Sequence, residues 1–254
     1  MTVSELYAAL EQQIPRSLSC PWDNDGCMCC PDGARPVRRV LIALDATDAV
    51  IDRAVAEQYD LIVTHHPLVF KPIAALNNDS VAGSRLLKLA RAGISLFSFH
   101  TRADAVEGGV NDLLAAAVGL RHVERFGEGG LGRIGQLDAP VSFDTFAAAV
   151  RRCLGAPVLS GGDAGLPVQT VAVCGGGGKD FVSAAQEAGA DTFLSGELGY
   201  HALTDAPDCG MNLLEAGHFY TETAVCRWFA GLIAALDASV TCTVMQSDRI
   251  RVFF

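Results

Sequence analysis

The sequence contains no apolar stretch approaching 18 residues, so it offers no membrane-spanning helix. Its first residues, MTVSELYAALEQQIP, lack the basic segment and apolar core of a secretory leader, and a cytosolic protein is expected. Basic residues are in short supply: 19 Lys and Arg stand against 29 Asp and Glu, for a net charge of −10. That balance argues against nonspecific binding to nucleic acid or an anionic membrane, because both need a basic surface. It leaves room for a phosphorylated substrate held by a metal or a local lysine. Low-complexity tracts and short repeats are also missing.

What is present is apolar and rhythmic. Half of the 254 residues are hydrophobic, enough for a real core, and the length suits one large domain or two small ones. The pattern predicts a helix over 5–14, a strand over 37–45, a helix over 48–59 and a strand over 60–66. A helix over 80–93, a strand over 94–100 and a helix over 108–120 follow. This βαβαβ order implies a mostly parallel sheet. A second pass begins with a strand near 131. A helix over 142–155 then starts at Ser142 and stops at Gly155. Next come a strand over 168–178 running into glycines, a helix over 179–190, and strands over 191–197 and 210–219. A long helix over 221–238 and a final strand reaching residue 254 complete the pattern. The expected fold class is therefore α/β: two βα-rich domains, 1–125 and 126–254, with mostly parallel or mixed sheets and a glycine-rich joint at FGEGGLGR.

Open α/β sheets place ligands at the carboxyl ends of their strands, and the histidines gather there. His65 and His66 end one expected strand. His100 ends another with Asp104 four residues on, Glu197 a third with His201 four residues on, and His218 a fourth with Glu222 four residues on. On a helical turn that spacing puts both side chains on one face, roughly 5–6 Å apart. His and carboxylate pairs of this kind suit a divalent metal. A lone strand-end His is more often a capped or surface residue, and one such pair is weak; four such strand ends in one chain outweigh that reading. Only His122 stands apart. Inside a strand, neighbours face opposite sides. At the end of one, Pro67 pushes His66 toward an extended conformation, and both rings can lean over the sheet edge while diverging. Diverging rings fit two metals, roughly 3.5–4 Å apart, better than one.

The blocks WDNDG, LIVTHHPLVF, SFHTRADAVEGGVNDLLA, DTFLSGELGYHAL and LLEAGHFYTE resemble the signature blocks of the Nif-three-like, YbgI-like family, whose members are often named GTP cyclohydrolase I type 2 homologues. The resemblance spans nearly the whole chain. It implies a two-domain fold with a dinuclear metal centre in the cleft between domains, a last strand that returns to the first domain, and a toroidal homohexamer. Carried over residue by residue, it implies His65, His66, Asp104, His218 and Glu222 as metal ligands, with Glu222 the bridge. Glu197 and His201 match a cleft-lining block and are implied as acid/base or supporting residues, while His100 would position Asp104. Zn, Mn, Fe, Co and Ni all accept such donors. The implied activity is a dinuclear metal-dependent hydrolase acting on a C–N bond of a purine ring, an amide or a phosphoester. Two divalent ions would make a bridging water ionise at neutral pH, and Glu197 would shuttle its proton. The alternative is a non-enzymatic metal-binding protein: a chaperone, a store, or an assembly or regulatory scaffold.

Other signals are weaker. CGGGGKD over 174–180 fails the phosphate-loop pattern, since Val173 stands where a glycine is needed and Asp180 follows Lys179. Its glycines can still offer amides to an anion or simply form a tight strand–helix turn. Cys20, Cys27, Cys29 and Cys30 lack the two separated C-x2-C hooks of a zinc knot, and no His is nearby. They read as loop thiols, with a soft-metal or redox role as the alternative. The other five cysteines read as small buried hydrophobes. Trp22 and Asp23 read as a helix-to-strand loop packed by the indole.

Overall fold

The computed structural model describes residues 1–156, 160–248 and 250. The chain begins with helix α1 (Val3–Gln13), strands β1 (Gly26–Cys29) and β2 (Arg39–Ala43), helix α2 (Asp48–Ala56) and strand β3 (Leu61–Thr64). Helix α3 (Val81–Ala92), strand β4 (Ser95–Ser98), and helices α4 (Thr101–Ala105) and α5 (Val110–Ala117) follow. The middle holds β5 (Arg121–Phe126), β6 (Gly132–Val141), α6 (Phe143–Leu154), β7 (Ser160–Gly162), β8 (Val168–Gly177) and α7 (Val182–Glu187). The rest is β9 (Thr192–Glu197), α8 (Tyr200–Cys209), β10 (Asn212–Glu215), α9 (His218–Glu222), α10 (Ala224–Leu236) and β11 (Thr241–Val244). The strand expected to run on to the chain end falls, at 249 and 251–254, outside the described residues.

The chain divides into two compact units, Met1–Ala103 joined by residues 225–248, and Asp104–Ala224 with Ile250. The first unit carries a five-stranded sheet in the order β1-β4-β3-β2-β11. β4, β3, β2 and β11 run parallel and only the edge strand β1 is antiparallel. Val40–Ala43 and Leu61–Val63 are buried along their whole length, as parallel strands covered on both faces must be. Helices α2 and α3 start on the hydroxyls of Thr47 and Ser80, which accept from the amides of Val50 and Gly83. Gly93, at φ 68, ends α3. Their apolar faces bury Val50, Ile51, Ala54 and Leu89 against Leu41, Ile62 and Leu96.

The second unit carries a six-stranded mixed sheet in the order β5-β6-β8-β9-β10-β7. β8, β9 and β10 are parallel, while β5, β6 and β7 join antiparallel. Phe146 and Val150 of α6 pack on Val171, Val173, Leu194 and Leu214. Some elements depart from the sequence pattern. The strand expected over 210–219 stops at Glu215, because Gly217 at φ 83 turns the chain into α9. The helix expected over 221–238 is two helices, α9 and α10. The helix expected over 179–190 opens with a 3-10 turn at Lys179–Phe181 and closes at Glu187. Among the described residues, no helix is long and apolar enough to cross a membrane.

Candidate metal centre

β3 delivers the doubled histidine. The strand ends at Thr64, whose hydroxyl donates to the His66 carbonyl at 2.9 Å, and the His66 amide donates to Leu44 O at 3.0 Å. These bonds fix the backbone where the chain leaves the sheet. His65 is fully buried, and its Nδ1 lies 2.9 Å from Phe99 O. A carbonyl only accepts, so Nδ1 carries the proton and Nε2 presents the lone pair. His66 Nδ1 lies 2.8 Å from Asp45 Oδ1 and His100 Nδ1 lies 3.0 Å from Asp23 Oδ1, which assigns the same tautomer to both. The three rings sit 4.9, 5.2 and 5.6 Å apart between centroids, and one donor atom from each lies within 4.8 Å of the others. Histidines that bind metal are oriented in this way, with the second nitrogen tied to a carboxylate or carbonyl.

Sequence reasoning missed the part played by Asp23. Its carboxylate accepts from His100 Nδ1, from the Thr101 amide at 3.0 Å and from the Thr101 hydroxyl at 2.6 Å. Burial works against its ionised form, yet the hydrogen bonds from His100 and Thr101 outweigh it and bring the group to about 2. Two residues on, buried Asp25 accepts from the His100 amide at 3.1 Å and from Arg102 Nε at 2.9 Å. Arg102, also buried, pairs with Glu11 and donates to Ile14 O at 3.1 Å. The WDNDG segment is thus a clamp on the β4–α4 turn. Trp22 does not pack it: the indole is 60% exposed and meets Phe70 and His100 edge-on, at 6.1 and 6.3 Å.

The second unit carries its own donors. Gly217 starts α9, a helix of one turn running from His218 to Glu222. The expected i, i+4 geometry is present there, with His218 Nε2 3.2 Å from Glu222 Oε2. His218 Nδ1 lies 3.3 Å from Glu197 Oε1 at the end of β9. Asp104, in α4, and buried Glu222 offer carboxylate oxygens within 4.8 Å of one another. The buried Cys174 thiol reports the charge gathered there: burial pushes it up, and the carboxylates of Asp104 and Glu222 push it further. Imidazole with carboxylate is a donor set that fits a divalent ion, so groups in both units can hold metal.

Two expectations change. Glu197 and His201 do not share a helical turn, because Gly199, at φ 84 and ψ 158, separates the end of β9 from the start of α8. His201 is exposed, its ring set edge-on against Tyr200. The glycine run is neither an anion loop nor a plain turn. The Gly175 amide donates to Asn111 Oδ1 at 2.7 Å, Gly176 to Thr221 Oγ1 at 3.1 Å and Gly178 to Glu197 O at 3.0 Å. Gly176 has φ 65, and a Cβ there would sit 2.2 Å from Glu222 Oε1 and 3.1 Å from His218 Nε2. Glycine lets the end of β8 come directly under the donors of α9. The signal was in the sequence as CGGGG, but its partner was not.

Comparison with known proteins agrees with the sequence blocks. The family model Duf34/NIF3 (NGG1p interacting factor 3) matches residues 1–250. A Clostridium perfringens protein named GTP cyclohydrolase 1 type 2 homolog is 31% identical over 232 residues, covering 89% of this chain and 88% of its own. A Nostoc protein of the same name is 33% identical over 223 residues, covering 85% of each chain. Among solved structures, protein ybgI, described as of unknown function, matches with a TM-score of 0.87 at 26% identity over 98% of this chain and 99% of that one. Reduced HcgD from Methanocaldococcus jannaschii matches with a TM-score of 0.84 at 27% identity, over 96% of this chain and 97% of that one.

Proposed function

The chain belongs to the Duf34/NIF3 family, and from that premise we propose that it is a dinuclear metal-dependent hydrolase, cyclohydrolase-like, acting on a nucleotide or another small C–N or phosphoester substrate. The names of its relatives support the substrate class. One observation carries the metal reading: three histidines gather their donor atoms within 4.8 Å while each Nδ1 is engaged by a carbonyl or carboxylate. His65, His66, Asp104, His218 and Glu222 are the proposed ligands of two divalent ions, and His100, grouped with His65 and His66, is proposed as a further imidazole donor in place of the part of positioning Asp104 that the resemblance implied. When bound, such ions supply Lewis acidity and make water ionise near neutral pH.

The chain's own residues do the rest. Phe99 O, Asp45 and Asp23 engage the Nδ1 of three imidazoles, which turns the Nε2 side of each ring toward a cation. Glu222 and Asp104 bring negative charge to a buried place, where a cation is favoured. Glu197, with a side chain 63% exposed and 3.3 Å from His218, is placed to carry a proton between the site and bulk water. His201 keeps at most a supporting role. A cytoplasmic homohexamer completes the proposal, on the strength of the sequence resemblance.

The test is metal analysis with a turnover screen. Purified protein should hold about two divalent ions per chain, and Glu222→Ala should lose metal and all turnover on a panel of purine and pyrimidine nucleotides. Glu197→Gln should keep the metal while kcat falls about 10²–10⁴-fold. If two ions stay bound and no nucleotide is turned over, the hydrolase reading fails and a metal store or chaperone takes its place.

A further inference from the structure

Four of the nine cysteines lie between residues 20 and 30, and the proposed centre uses none of them. Three sit on or just past β1, the antiparallel edge strand of the first unit's sheet. In a regular strand, residues three apart point to opposite faces, which would separate Cys27 from Cys30. β1 is not regular. Cys27 pairs with Phe97 and Cys29 with Leu96, so two steps on β1 meet one step on β4 and Met28 is the extra residue of a bulge. The alternation is reset there. Met28 and Cys29 both pack against the apolar core of the first unit, and Cys27 and Cys30 both emerge exposed. The Cys30 thiol stands beside that of Cys27. The turn that follows is pinned: Ala34 N donates to Asp32 Oδ1 at 2.9 Å, and Ser4 N of α1 donates to Gly33 O at 3.0 Å.

The surroundings define what such a pair would take. Burial, with Cys30 and Cys29 beside it, pushes the Cys27 thiol up to about 11, and burial with Cys30 pushes Cys29 up too. The neighbours that act most on the two thiols are other thiols, which bring no positive charge to a thiolate. A thiophilic cation is the missing charge. Among the described residues, no cysteine joins a group of three or more metal-ligating side chains. Structural zinc wants four ligands, whereas soft monovalent copper selects thiolates and is satisfied by two. We propose that Cys27 and Cys30 form a surface site for one low-coordinate thiophilic cation of the Cu(I) class, outside the His and carboxylate centre. Binding forms two S–Cu bonds, breaks two S–H bonds and releases two protons to solvent; copper stays monovalent and no electron moves.

The experiment is an anaerobic Cu(I) titration of the reduced, full-length protein against a chromogenic Cu(I) chelator. The wild type should withhold one equivalent from the chelator. C27S/C30S should lose that equivalent, with an apparent affinity at least about tenfold weaker, while C153S/C209S, which alters two thiols that the apolar pattern put in the core and the structure exposes, should keep it. Glu222→Ala should also keep it, which separates this site from the centre proposed above. Unchanged thermal melting of C27S/C30S shows that the variant is folded. Equal competition by wild type and C27S/C30S, or loss of the equivalent in C153S/C209S or in Glu222→Ala, overturns the proposal.

Discussion

A histidine becomes a dependable metal donor when something else decides which nitrogen carries its proton. The sequence made the candidate donors legible: HHP at a strand end and an acid four residues from a His raised His65, His66, His100, Asp104, Glu197, His201, His218 and Glu222, and the family resemblance chose His65, His66, Asp104, His218 and Glu222 among them. The sequence hid the residues that orient them. Asp23 lies 77 positions from His100 and Asp45 lies 21 from His66, and no local spacing announces such bonds. Asp23 makes this testable. In Asp23→Asn the amide keeps the shape but loses the charge that fixes the His100 tautomer. Metal affinity, measured by chelator competition on the reloaded protein, should fall about 10–100-fold. Trp22→Ala, one residue away and removing only an exposed ring, should leave it unchanged. Equal affinities for Asp23→Asn and wild type would remove Asp23 from any positioning role.

At the scale of elements, strand ends and single turns carry the site. β2 and β3 were legible because buried parallel strands read as apolar runs. The short pieces were not: β1 and β7 are set by pairing partners distant in sequence, and β10 gave up its last residues to the turn at Gly217. The end of β8 shows why composition alone misled. A glycine run suggests amides on offer, yet Asn111 and Thr221 already take the amides of Gly175 and Gly176, and what matters is the missing Cβ beneath Glu222. Gly176→Ala forces a side chain into the left-handed region, at about 1–2 kcal/mol, and drives its methyl into the Glu222 carboxylate. Its metal content should drop well below that of the wild type, read by elemental analysis. Gly177→Ala is the control, since a Cβ there meets nothing within 4 Å, and it should keep full metal content.

At the scale of the whole molecule, the first unit is assembled from two stretches of chain far apart in sequence. β11 pairs in parallel with β2, from Thr241↔Arg39 to Val244↔Ile42, and Phe229 of α10 meets Phe99 with ring centroids 5.9 Å apart. A pairing across some two hundred residues has no signature in a local pattern; only the family resemblance suggested that return. Asp60 stands at the entrance of this sheet and joins several of its parts. Its carboxylate accepts from Arg35 Nη2 at 2.7 Å and from the amides of Arg38 and Arg39 at 2.9 and 3.0 Å, while its carbonyl accepts from Ser95 N. Burial raises its pKa, but those backbone and guanidinium bonds prevail and hold it below the usual carboxylate value. A group whose pKa is depressed on folding stabilises the fold fully above its unfolded value of about 3.9, and that contribution is lost as the pH falls through the folded value. Asp60→Asn should therefore lower the unfolding free energy by about 1–3 kcal/mol at pH 7, seen as an earlier urea midpoint. The gap from wild type should narrow steadily once the pH drops below about 4. A gap of constant size across that range would mean that Asp60 acts through shape and neutral hydrogen bonds, with its charge contributing nothing to the fold.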